Sequence, residues 1–103
     1  MAYDEVLAER VRDALIGQAG VTEKRMFGGL AFLVSGKMAV VVSRVGGLMV
    51  RMDPDEGDAL LGGGVELAVM RGKAMRGWLR VPEELVEGDR EMGVWVARGV
   101  GFV

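Results

Sequence analysis

The residues best equipped for binding chemistry lie together in Lys73-Ala74-Met75-Arg76-Gly77-Trp78-Leu79-Arg80. In an extended strand side chains alternate between faces. Arg76, Trp78 and Arg80 would then project to one side, and Met75, Gly77, Leu79 and Val81 to the other. An indole between two guanidinium groups, with Lys73 nearby, can stack on a planar ring and pair with phosphate or carboxylate. The same row has a plainer use, in which Trp78 packs under a helix or partner and the arginine stems cover it with their heads in water. Trp95 falls on the apolar stripe of a helical segment and is assigned to the core.

Other chemistry is scarce. The chain has no His and no Cys, which removes thiol nucleophiles, disulfides, Cys/His zinc sites and imidazole relays. Ser35 and Lys37 sit in a turn where nothing would desolvate the amine or hold the pair. Gly36-Lys37 and Gly72-Lys73 lack the first glycine of a phosphate-binding loop, since Ala31 and Leu67 stand five residues before, and Met38 and Ala74 follow. Asp53, Asp55 and Asp58 miss the calcium-loop pattern, because Gly57 comes one residue early and Gly64, not Glu, occupies the twelfth position. No cofactor, metal or catalytic residue is expected. An enzyme would have to be built from carboxylates, Lys, Tyr or a borrowed cofactor.

Thirteen Lys and Arg against fifteen Asp and Glu give a net charge of −2, which argues against general affinity for a nucleic-acid backbone. The charges are segregated: residues 53–58 hold four acids and no base, residues 71–80 four bases and no acid, and residues 83–91 five acids against Arg90. The bland reading is solvated surface whose segments partly neutralise one another.

The elements that position these residues follow from local pattern. Asp4 caps a helix whose Leu7, Val11, Ala14 and Leu15 share one face. From Lys24 to Met52 short β-branched runs separated by glycine turns predict an antiparallel meander with strands at Leu30 to Val34, Met38 to Ser43 and Leu48 to Met52. Gly28-Gly29 marks a bulge or sharp bend between two strands. Met38-Ala39-Val40-Val41-Val42 is apolar on both faces and belongs mid-sheet. Asp53-Pro54-Asp55-Glu56 opens a short helix that Gly62-Gly63-Gly64 ends. Val65 to Met70 and Met75 to Val81 are the next strands, joined by Arg71-Gly72-Lys73. A last helix from about Asp89 carries Met92, Trp95, Val96, Val100 and Val103 on one stripe. The 103 residues make one α+β domain, with the order α-β-β-β-α-β-β-α and about five antiparallel strands. No apolar run reaches the roughly 18 residues of a membrane span, and no signal-peptide pattern opens the chain, so a cytoplasmic protein is expected.

With Met26-Phe27-Gly28-Gly29, the Gly36-Lys37-Met38 turn, Leu48 to Arg51 and the Met75 to Pro82 strand in place, the chain resembles the TfoX N-terminal domain family over roughly Val11 to Val103. The resemblance implies a two-layer domain with an antiparallel sheet, similar to the secretion-chaperone-like fold. Met26, Phe27, Gly28, Gly29 and Gly36 then read as architecture. It also implies a link to regulators of natural competence, transcriptional coactivators that act through protein partners. Those regulators carry a further helical C-terminal domain, whereas this sequence is read as a stand-alone domain. Its residues 65–70 are more apolar than the polar, Asp-containing stretch of the family. The function expected is a non-enzymatic regulatory or interaction module with an unidentified protein partner. A homodimer is expected from the apolar segments 38–42 and 65–70. The alternative is a binder of nucleic acid or a small anionic ligand through Lys73, Arg76, Trp78 and Arg80, and a small-molecule enzyme is third.

Overall fold

The computed structural model describes residues 3–26 and 28–103, so Phe27 of the Met26-Phe27-Gly28-Gly29 motif lies outside the described residues. The elements run α1 (Glu5–Ala14), β1 (Val21–Met26), β2 (Gly29–Val34), β3 (Lys37–Val42), β4 (Leu48–Arg51), α2 (Pro54–Ala59), β5 (Glu66–Met70), β6 (Lys73–Val81), a 3-10 turn (Glu83–Val86) and α3 (Asp89–Phe102). The strands form one six-stranded antiparallel sheet in the order β1-β2-β3-β4-β6-β5. The strand beyond the expected five is β1. Its Thr22-Glu23-Lys24-Arg25 core is exposed throughout, because an edge strand pairs only with β2 and needs no apolar alternation.

Local chemistry sets the element ends. The Asp4 carboxylate accepts from the N–H groups of Val6 and Leu7 at 2.9 and 3.2 Å, and Asp53 accepts from Asp55 and Glu56 at 3.1 and 3.2 Å. Gly28, at φ +74°, sits in the β1–β2 connection, and a Cβ at Gly29 would run into the Val42 carbonyl oxygen. Ser35-Gly36 and Arg71-Gly72 turn their hairpins with both residues at positive φ, the twist that suits a two-residue connection.

Helices α1 and α3 and the 3-10 turn contribute to a core on one face of the sheet, and α2 seats Gly57 against Met52 and Leu79 of that core. Leu7 and Val11 of α1, Leu15 that caps its C-terminus, Val86, and Met92, Trp95 and Val96 of α3 pack against Leu30, Phe32, Val40, Val42, Val50, Leu79 and Val81. Trp95 is 9% exposed and belongs to this core, as its spacing predicts. On α1, Ala8 is buried while Ala14 is exposed, so the apolar stripe turns slightly from the predicted face. Strand β3 lies mid-sheet with Val40 and Val42 toward the helices and Val41 toward the opposite side. That opposite face has its own cluster, made of strand residues alone: Ala31, Val41, Ala68 and Trp78, with Met26, Leu33, Met38, Met49 and Met75 packed against them. Among the described residues no helix is long and apolar enough to cross a membrane.

Candidate functional site

The site grows from an irregularity in β6. Leu67 of β5 lies opposite Leu79 and the next residue, Ala68, opposite Met75, so one step on β5 spans four on β6. The extra residues bulge around Gly77, which adopts φ +89°, and its carbonyl accepts from the Met52 N–H at 2.9 Å. Alternation therefore slips. Met75 joins Trp78 on the helix-free face, while Leu79 and Val81 enter the helix-side core.

Arg76 leaves the predicted row. Its Nη2 donates to Asp58 Oδ2 at 2.7 Å and Asp55 Oδ1 at 3.1 Å on α2, the helix that packs against β6 beside Leu79. These hydrogen bonds, that to Asp58 first, raise the Arg76 pKa above its ordinary value. The acidic opening of α2 thus folds onto the basic strand at this one residue. Arg76, Trp78 and Arg80 do not share a face, and Trp78 does not lie between two arginines of its own strand. The bulge is the reason. A glycine inside a strand was the available signal, and strict alternation passed over it.

The cation beside Trp78 comes instead from β4. Arg51 lies directly opposite Trp78, its guanidinium carbon 5.6 Å from the indole centroid and 5.2 Å from the ring of Phe102 at the end of α3. Arg80 is half-buried, opposite Met49 on one side and Glu66 on the other. Lys73 is exposed where β6 begins. Of the predicted binding residues, Lys73, Trp78 and Arg80 stay on one side of the sheet and Arg76 does not.

Trp78 forms the floor of a shallow apolar cavity of about 100 Å³, lined with Val41, Ala68 and four methionines, Met38, Met49, Met70 and Met75. With Met26, five of the seven methionines among the described residues stand on this face. Each comes from a different strand, so register alone assembles them, and the only sequence signal was the methionine count. Trp78 itself is 8% exposed. Cross-strand pairing with residues of this face also places Lys24, Arg51 and Arg80 here, while Lys73 follows from its parity with Met75; among the described residues Glu66 is the acid that pairing places with them. Four and one of the thirteen bases and fifteen acids leave nine bases and fourteen acids elsewhere.

The residues once suggestive of calcium are used otherwise, Asp53 as a helix cap and Asp55 and Asp58 as partners of Arg76. The arrangement offers an adaptable apolar floor with a basic surround. A family profile described as the TfoX N-terminal domain matches residues 13–103. Neither the curated proteins nor the solved structures provide a match.

Proposed function

The chain belongs to the TfoX N-terminal domain family, and from that premise we propose a non-enzymatic regulatory module of the competence-regulator type, acting through a protein partner in the control of transcription. The observation that carries this reading is the helix-free sheet face. In a two-layer domain that face normally meets water with polar side chains. Here it presents Leu33, Met38, Met49 and Met75 around Trp78, a contiguous apolar area of the kind that marks an interaction surface.

The nucleic-acid alternative needs an indole presented for stacking. Trp78 is instead packed into the sheet with Arg51 beside it, which favours the protein reading. Capture of the tagged whole chain from its native cells after brief cross-linking, followed by mass spectrometry, tests the proposal. Recurrent recovery of one component of the transcription apparatus is expected. Recovery of no specific protein, or of nucleic acid alone, overturns it.

A homodimer is a second reading, favoured by strand β5. It lies at the sheet edge, and its Val69 is 63% exposed, so two copies could pair β5 with β5 and leave the methionine face free. Light scattering that returns a monomer mass at high micromolar concentration removes it.

A further inference from the structure

We propose that the methionine-lined face is the docking groove for an acidic amphipathic helix of the partner, apolar on the side that meets the sheet and carrying Asp or Glu on its flanks. The inference rests on the partner-binding reading and adds the place and the chemistry of the contact.

Charge selects the occupant. The face carries Lys24, Arg51, Lys73 and Arg80 against Glu66, whereas the rest of the chain has more acids than bases. A second copy laid face to face would set these cations against each other, and a basic segment would be repelled. A partner with acidic flanks satisfies them. A recess beside the cavity, bounded by Lys37, Met38, Arg51, Trp78 and Phe102, brings one more cation to the same rim.

Shape selects the helix. The cavity crosses β3, β4, β6 and β5, four neighbouring strands that span about 14 Å at ordinary strand spacing. Three turns of helix cover about 16 Å and present apolar side chains at i, i+3, i+4 and i+7 along that path. The floor over β3, β4 and β6 is central sheet with its backbone groups already paired, so an added strand could enter only at the β5 edge, beside the floor and not on it. Unbranched methionine side chains readjust around the incoming residues, the property that suits such grooves to helices.

The test uses the whole chain with Trp95→Phe, so that emission reports on Trp78 alone. The probes are two helical peptides of about 18 residues, long enough to hold helix, with leucine on one face and either glutamate or lysine on the other. The glutamate peptide should bind at least about tenfold more tightly than the lysine peptide, with a gap that narrows as salt rises. Met49→Glu and Met75→Glu should abolish binding while far-ultraviolet circular dichroism stays unchanged. Arg80→Glu with Lys73→Glu, both outside the apolar floor, should reverse the peptide preference even if a methionine variant fails to fold.

Equal binding of the two peptides overturns the proposal, as does binding that survives the methionine and charge variants. So does preferential binding to phosphatidylserine vesicles or a single-stranded oligonucleotide, or self-association that Met49→Glu dissolves. A partner captured from cells whose binding survives the charge reversal overturns the groove and leaves the proposed function standing. Failure to capture any partner does the reverse when peptide binding behaves as expected.

Discussion

Two glycines of one helix should respond in opposite senses to the same substitution. In an α-helix interior Gly→Ala normally stabilises by about 0.5–1 kcal/mol, because alanine loses less backbone entropy. Gly93 of α3 has nothing within 4 Å of the position its Cβ would take, so Gly93→Ala should show that gain. At Gly99 the added carbon would lie 2.5 Å from the Ala39 carbonyl oxygen and 3.2 Å from Val40 Cγ2. An ordinary C–H···O contact needs about 3.3 Å between carbon and oxygen, so α3 would have to retreat from β3 by nearly 1 Å. Overpacking against backbone costs about 1–3 kcal/mol and exceeds the propensity gain, leaving a net loss of about 1–2 kcal/mol. For a domain of this length that lowers the unfolding midpoint by about 5–10 °C. Urea unfolding followed by tryptophan emission and circular dichroism, with the slope against denaturant held constant, measures both variants. Stabilisation by Gly99→Ala equal to that by Gly93→Ala would refute the close seating of α3 on β3.

Gly77→Ala places a side chain at φ +89° with its Cβ 3.2 Å from the Met52 carbonyl oxygen, and should cost about 1–3 kcal/mol in urea unfolding. Gly36→Ala, at φ +83° in open space, carries the strain alone and should cost less; equal losses would argue against the β6 bulge packing. Arg12 donates from Nε and Nη2 to the Glu23 carboxylate at 2.7 and 2.8 Å, which holds Glu23 below its ordinary value of 4.5. Because the folded value is the lower one, this contribution is present above pH 4.5 and fades as pH falls through the folded pKa. The midpoint difference between wild type and Glu23→Gln should accordingly close on acidification, and a difference independent of pH would contradict the pairing. Arg76→Gln should leave the midpoint nearly unchanged, since the pair with Asp58 is exposed to solvent. Any coupling with Asp58→Asn should vanish in high salt; a large, salt-resistant coupling would mean that the contact is buried.

Much of the architecture was legible in single residues because its causes are local. Asp4 and Asp53-Pro54 cap the helices they precede, Ser35-Gly36 and Arg71-Gly72 turn their hairpins, and the spacing of Met92, Trp95 and Val96 names the buried stripe of α3. The charged strand β1 stayed outside the expected five, although the pattern from Lys24 and the Gly28-Gly29 bend pointed toward it, because an edge strand takes its place from pairing with β2, which no property of its own residues requires. The candidate site was less legible still. Lys73, Trp78 and Arg80 could be named from composition, but Gly77 chose their geometry by breaking alternation and sending Arg76 to α2. Arg51 reaches Trp78, and the methionines meet around it, only when β4, β6 and β5 are in register. By itself the sequence determined the family, the caps, the turns and the helix-side core. Tertiary structure alone decided which side chains share the helix-free face, because strand pairing joins residues far apart in the chain and one bulge changes the side on which its neighbours emerge.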